Sequence, residues 1–299
     1  MRVFVTGATG AIGRHVVPAL LCAGHEVTAL ARTPEKAAGL AALGAVPSEV
    51  SLFDRAALTE VLAGHDAVAN LATAIPTPST FLRRSAWAAN ERVRREGSAA
   101  VAAAVRAAGV GRLVQESITF LYPDRGAEWI DEDVAPDPFP LAEANLAAEE
   151  NARAVPNSVV LRFGLFYGPG SGHTDLLLQL ARRRVAFVAG PPSAYLSSIH
   201  LADAASAVVA ALDAPAGLYD VVDDEPVTRR GYAAALGEAV GRRPLVSLPG
   251  RAAVLAGGQA ESLIRSQRVS NRRLRTATGW APRFASVRDG LLAAAGAPR

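Results

Sequence analysis

Lysine is almost absent from this 299-residue chain: Lys36 is the only one, although lysine and arginine together number 31. Arginine stays protonated at any working pH, so chemistry that needs a lysine base elsewhere is excluded. Cysteine is equally scarce. Cys22 stands alone, which rules out a disulfide within the chain and a cysteine-rich metal site; in the pattern of the first helix it reads as a small buried hydrophobe. The five histidines show no spacing that suggests a metal site. No apolar run reaches the roughly 18 residues of a membrane span, and no charged leader precedes an apolar core, so a cytoplasmic protein without a membrane partner is expected. The formal net charge of +3 is spread without basic blocks and leaves no footprint for nucleic acid.

Half of the residues are hydrophobic and 20% are charged, enough to bury a core, and the length suits one large α/β unit with a modest second lobe. Up to residue 163, short β-branched runs alternate with alanine-rich helical stretches, the pattern of βαβ units. Strands are expected at RVFVT (2–6), HEVTAL (25–30), AVPSEV (45–50, the weakest), DAVANLA (66–72), RLVQES (112–117) and SVVLRF (158–163). Helices are expected over 11–23, 34–43, 55–63, 84–108 and 138–154, the last capped by Asp137 with Pro138 at its first position. This order predicts a Rossmann-type, doubly wound parallel sheet. Beyond it come the loop FYGPGSGH, a helix through DLLLQLARRR, a strand-like AYLSSIH, a helix from LADAAS and a strand near LYDVV.

The first strand runs into Thr6-Gly7-Ala8-Thr9-Gly10-Ala11-Ile12-Gly13 and then a helix. In that context three glycines three apart form a dinucleotide loop: the first permits a tight turn, the second admits backbone to a pyrophosphate, and the third lets helix pack on strand. Gly7, Thr9, Gly10, Ala11, Ile12 and Gly13 are the expected contacts. The second strand ends in Ala31-Arg32-Thr33, with Lys36 one turn on and no acid before Glu35. A carboxylate there would hold a free ribose hydroxyl, whereas cations accept a 2′-phosphate, so NADP(H) is favoured over NAD(H). The organisation expected is an NAD(P)-binding unit over 1–165 and a smaller substrate lobe over 166–299, with 195–215 returning to the first unit.

Taken together, TGATGAIG, HDAVANLA, ESITFLY, LRFGLFYGPG and SIHLADAA resemble the extended and atypical short-chain dehydrogenase/reductases, the NAD(P)-dependent epimerase/dehydratase-like group. The resemblance continues to about residue 290 through SQRVSNRRLRTATGWAPRF, which looks like that group's C-terminal lobe. It implies further cofactor contacts at Ser51 and Leu52 after the third strand, at Leu71, Ala72 and Thr73 after the fourth, and at Phe163 and Leu165 around the turn after the sixth. Ser51 stands where the family often has an acid for the adenine amine, and Asp54 reads as a helix N-cap. In NERVRREGS, Gly97-Ser98 matches the family's Gly-Thr, but Arg94 takes the usual Asn position.

The resemblance also implies a proton relay: a Ser or Thr after the fifth strand, and a Tyr followed four residues later by a Lys that lowers its pKa. Here Leu141 replaces the tyrosine and Asn145 the lysine. Leucine carries no proton; asparagine carries no charge but can hydrogen-bond a ribose hydroxyl. The family's hydroxyl position is Ile118, flanked by Ser117 and Thr119, either of which can substitute with a small shift. Tyr122 ends ESITFLY and reads either as a general acid or as a hydrogen-bonded wall of the cleft. His173 and His200, with Tyr195, are placed to line a substrate site, whereas His15, His25 and His65 read as structural. The expectation is an NADP(H)-dependent oxidoreductase acting on a small organic molecule, with an epimerase, dehydratase or cyclase, or an NADP-sensing binding protein, as alternatives. No metal is implied, and a homodimer is left open.

Overall fold

The computed structural model describes residues 1–77, 80–81, 83–140, 142–186, 188, 190–242, 246–247 and 264–296. The chain begins β1 (Arg2–Thr6), α1 (Gly13–Cys22), β2 (Glu26–Leu30), α2 (Pro34–Ala42), β3 (Val46–Ser48), α3 (Arg55–Leu62) and β4 (Ala67–Asn70). It continues through α4 (Ala88–Arg92), α5 (Ser98–Ala107), β5 (Arg112–Ile118), β6 (Trp129–Ile130), α6 (Glu143–Arg153), β7 (Ser158–Phe163), β8 (Leu165–Tyr167), α7 (Gly172–Arg182) and β9 (Val185–Ala186). Then come β10 (Tyr195–Leu196), β11 (Ser198–His200), α8 (Leu201–Ala211), β12 (Gly217–Val221), β13 (Val227–Thr228), α9 (Arg229–Ala239), β14 (Val246–Ser247), β15 (Arg268–Val269), α10 (Arg272–Thr278) and α11 (Val287–Gly296).

One seven-stranded sheet in the order β12-β7-β5-β4-β1-β2-β3 is parallel at every pairing. The expected Rossmann-type sheet is therefore present. Parallel strands joined by helices are covered on both faces, which is why RVFVT, DAVANLA and SVVLRF are near-continuous apolar runs. One core layer joins α1 and α8 to the sheet through Val16, Leu20, Ala204 and Val208; the other joins α3 and α5 through Leu58, Leu62, Val101 and Val105. A third cluster, including Tyr167, Leu177, Leu196, Tyr232, Leu236 and Leu291, forms the C-terminal lobe. Segment 201–221 is not part of that lobe: α8 packs on α1, and β12 extends the sheet beside β7.

Three expectations need correction. The helix expected from Pro138 starts only at Glu143, because Pro140 disfavours helical backbone at Phe139 and the Asp137 carboxylate pairs with Arg265 instead of capping. The stretch 84–108 is not one α-helix. A 3-10 turn at Arg84–Trp87 leads into α4, and a π-turn at Val93–Gly97 separates α4 from α5. Cys22 is exposed at the C-terminal end of α1. Among the described residues no helix is long and apolar enough to cross a membrane, and no group of three or more His, Cys, Asp or Glu could hold a metal ion.

Candidate active site

The C-terminal ends of β1, β4 and β5 are locked in register by a polar stripe. Thr6 Oγ1 donates to Asn70 Oδ1 (2.6 Å) and accepts from the Leu71 amide (3.2 Å), while Asn70 Nδ2 donates to Gln115 Oε1 (2.7 Å). Gly7 leaves this stripe with φ +65°, and a Cβ on it would overlap the Leu71 carbonyl and lie 2.8 Å from the Ala72 amide nitrogen. Gly13 is as tightly enclosed, with a Cβ 2.6 Å from the Ala8 carbonyl carbon. Gly10 differs: it is exposed, and a Cβ there would meet only Gly7 O at 3.1 Å. Gly7 and Gly13 are required by the fold itself, whereas Gly10 faces open space.

Helix α1 begins behind this loop with Ile12 at its N-cap, no capping side chain and no acid in its first turn. Among the described residues no backbone acceptor meets the Ala11 and Ile12 amides. Such an end offers unpaired N–H groups and the positive pole of the helix to an anion. Arg32 is exposed and Lys36 half-buried beyond β2, and no ion pair among the described residues includes either. On the far side Leu52 packs against Gly97, where a Cβ would lie 2.8 Å from Leu52 Cδ2. The Ser51 hydroxyl is used locally, accepting from the Phe53 amide at 3.3 Å. Leu71 is buried, Ala72 half-buried and Thr73 exposed, so this segment runs outward beside Gly7.

The three hydroxyls nominated after β5 have separate fates. Ser117 is fully buried and donates to Glu149 Oε1 at 2.7 Å. Glu149 in turn holds Arg162 through two hydrogen bonds of 2.7 Å and Arg153 through one of 2.8 Å. Tyr122 does not line a cleft. It is fully buried, its ring lies under the Arg162 guanidinium (4.9 Å to the centroid), and its hydroxyl donates to both Asp220 oxygens at 3.0 Å. Burial first, and then the Asp220 carboxylate, raise the Tyr122 pKa above its ordinary value. Thr119 opens a 3-10 turn at Thr119–Leu121, and no hydrogen bond among the described residues uses its hydroxyl.

Pairing explains the arrangement: Ser117, Arg162 and Asp220 sit side by side on β5, β7 and β12, with the side chains of α6 and the 122 turn laid across them. Asp220 is held well above the usual carboxylate range by burial and by Glu132, despite Arg162 and Tyr122. A second buried pair, Arg94 with Glu116, fills the π-turn. Burial raises Glu116, and Arg94 only partly offsets it.

Leu141 lies outside the described residues. Asn145 is 3% exposed; its Nδ2 donates to Ala142 O at 3.2 Å, and its Oδ1 is buried with no partner. An unmet acceptor at this depth costs about 1–3 kcal/mol unless a ligand supplies the donor. Phe163 and Leu165 flank Gly164, whose Cβ would lie 2.8 Å from Ser197 O. The Phe163 side chain belongs to the core, which leaves only its backbone for a ligand.

His173 is exposed. His200 is 7% exposed, and its Nδ1 accepts from the Ala202 amide, capping α8. Burial, with His15 and Arg283 adding to it, lowers its pKa to about 4. It is a neutral structural cap packed against Tyr167 and Phe284, not a free base. Tyr195 is half-buried in the C-terminal lobe, under Arg268.

The sequence matches the NAD(P)H-binding family over residues 7–215. A 3-diazoavenalumate denitrifying reductase from a Streptomyces species is 34% identical, covering 97% of this chain and 99% of its own length. A 4-hydroxy-2-methyl-3-oxo-4-farnesyl-3,4-dihydroquinoline-1-oxide ketoreductase of Stigmatella aurantiaca is 32% identical over 89% of this chain and 81% of its own. The crystal structure of human epimerase family protein SDR39U1 with NADPH is similar at a TM-score of 0.84 and 27% identity, covering 99% of both chains. The chain belongs to the extended short-chain dehydrogenase/reductase family. It is an NAD(P)-binding enzyme.

Within this short-chain dehydrogenase/reductase the glycine loop keeps the family pattern and the relay does not. Reading the sequence missed Glu149, Asp220, Glu132 and Arg94 as partners. The signal for them was weak. Only the alternation of polar residues within otherwise apolar strands (Ser117, Arg162, Asp220) hinted that one face of β5, β7 and β12 carries charge.

Proposed function

We propose that the chain is an NADP(H)-dependent reductase of a small organic molecule. The observation that carries this reading is the end of β2, where Arg32 and Lys36 stand without carboxylate partners among the described residues and suit a 2′-phosphate. The residues fit the dinucleotide elsewhere too. The uncapped end of α1 suits a pyrophosphate, and the orphaned Asn145 Oδ1 suits a ribose hydroxyl. Gly7, Thr9, Gly10, Ala11, Ile12, Leu52, Leu71, Ala72 and Thr73, with the backbone at Phe163–Leu165, would complete its bed. When bound, the reduced nicotinamide supplies a hydride.

The chain's own residues orient and do not relay. Ser117 and Tyr122 are committed to Glu149 and Asp220, Leu141 and Asn145 carry no transferable proton, and Thr119, only 1% exposed, is the one hydroxyl of the three without a partner among the described residues. An epimerase, which must take a proton and return it, is less well served by this set than a reductase. A reductase of this kind suits an acceptor that needs no proton from the protein. The Streptomyces relative is named for the denitrifying reduction of a diazo compound. Hydride delivered to an aryl diazonium ion forms the C–H bond as the C–N bond breaks and dinitrogen leaves (ArN2+ + H− → ArH + N2), which needs no proton from the protein. An aryl diazo compound in its diazonium form is therefore the first substrate to test. NADPH and NADH are titrated by fluorescence, and oxidation of NADPH is then followed with an aryl diazo compound and with a panel of ketones and enones. Tighter binding of NADPH with turnover of any of these supports the reading. Binding without turnover of any acceptor would replace it with a cofactor-sensing protein.

A further inference from the structure

We propose that Arg268 and the two aromatic rings around it form a subsite for the carboxylate of a small, flat molecule; calling that molecule the substrate rests on the reductase reading above. Arg268 is on β15 and pairs directly with Trp129 on β6. The next residues, Val269 and Ile130, are fully buried with Tyr122 and Val222, so strand alternation turns Arg268 and Trp129 to the opposite face. There the guanidinium carbon lies 4.1 Å from the Trp129 ring centroid and 5.0 Å from that of Tyr195.

A guanidinium set over two rings loses water where they cover it and keeps its hydrogen-bonding edge in plane. That edge is hardly used. Nη1 makes one long hydrogen bond to Ala127 O (3.4 Å), Nε is buried with no partner, and no ion pair among the described residues includes Arg268. Half-buried Arg268 differs from the buried Arg94 and Arg162, which each hold a carboxylate although each also keeps one unpartnered nitrogen. A partly desolvated cation without a counter-ion is costly until a ligand provides one. A carboxylate matches the guanidinium fork, and Trp129, 49% exposed, offers an apolar surface to a planar body. The strand is also tied to the turn that follows β5. The Gln267 side-chain amide donates to Tyr122 O at the end of the β5 turn, and the Gln267 backbone amide donates to Tyr195 O at 3.1 Å.

Calorimetric titration of the full chain with benzoate and with benzamide separates charge from shape. Benzoate is expected to bind about tenfold or more tightly than benzamide. Arg268→Leu is expected to abolish that preference and Arg268→Lys to keep part of it, with NADPH affinity unchanged in both. Should Arg268→Leu fail to fold, Arg268→Gln makes the same comparison. No preference for benzoate in the wild type, or a preference that survives Arg268→Leu or Arg268→Gln, overturns the subsite. Benzoate binding through Arg268 in a chain that ignores NADPH keeps the subsite and sinks the reductase reading.

Discussion

The two halves of the sheet treat their polar groups in opposite ways. At the ends of β1 and β2 donors and cations are left open: the Ala11 and Ile12 amides, Arg32 and Lys36 have no partner among the described residues. Across β5, β7 and β12 most polar groups pair with one another, with Arg162 Nη1 left buried and unpartnered. Ser117, Glu149, Arg162, Tyr122 and Asp220 form one buried chain of contacts. Open donors in a fold with an uncapped helix end await a ligand, whereas a closed network specifies packing. The family's glycine loop is thus retained, whereas Ser117 and Tyr122, read from the sequence as proton donors, are bound into structure.

The largest effect that separates the halves is expected from Gly10→Val. Its side chain enters the exposed mouth of the loop, so NADPH binding should fall below detection while the near-ultraviolet circular dichroism stays native. Retained affinity would unseat the cofactor site. On the other half, Arg162→Leu leaves the buried Glu149 carboxylate with only Arg153 and Ser117 and the Asp220 carboxylate with only Tyr122, and breaking a buried ion pair costs about 3–5 kcal/mol. Urea unfolding should show that loss; a change under about 1 kcal/mol would mean the network is not cooperative. Next in size, replacing Arg32 and Lys36 with alanine should weaken NADPH by about 10- to 100-fold and NADH hardly at all. Equal losses would refute the phosphate assignment.

The network also predicts a pH dependence. The folded-state pKa of Asp220 is raised above its ordinary 3.8 by burial and Glu132. A raised carboxylate pKa means the folded state binds its proton more tightly, so stability is lost as pH rises from about 3.8 through the folded value. Every tenfold gain in proton affinity on folding corresponds to about 1.4 kcal/mol of that loss. Asp220→Asn keeps an acceptor for Tyr122 and should flatten that part of the stability curve measured by urea unfolding from pH 4 to 8. An unchanged slope would assign the dependence to the other buried carboxyls held above their ordinary values, Asp223, Asp203, Glu132 and Glu116.

The open half was legible in the sequence because its chemistry is local. A strand, three glycines and a helix lie within residues 2–22, and Arg32 follows one strand later. The sheet was legible for the same reason, through runs of apolar β-branched residues. The closed half was not, since Tyr122 and Asp220 are 98 residues apart, and Ser117 and Glu149 are 32 apart. Their meeting depends on strand order, which sets β5, β7 and β12 side by side. Tyr122 therefore read as a cleft residue although the row beneath it turns its hydroxyl inward, and the late start of α6 was hidden by an apparent Asp-Pro cap.

Tyr122→Phe makes the finest test of the comparison, since it removes one hydroxyl and almost no volume. If Tyr122 belongs to the closed half, the loss leaves Asp220 buried without its donor and costs about 1–3 kcal/mol, while Arg162 keeps its contact with the ring face. Folding stability should fall by that amount. NADPH affinity and turnover at saturating substrate should stay within about twofold of wild type, because no reacting group is touched. If Tyr122 were instead the general acid, turnover would drop by about 100-fold or more and stability would hardly move, since a cleft hydroxyl finds water. The two outcomes differ in both measurements. The second would require the turn at Thr119–Leu121 to swing outward when ligands bind, carrying Tyr122 away from Asp220, and Thr119→Val would then affect stability more than chemistry. If Tyr122 stays where it lies, Thr119→Val should do the reverse.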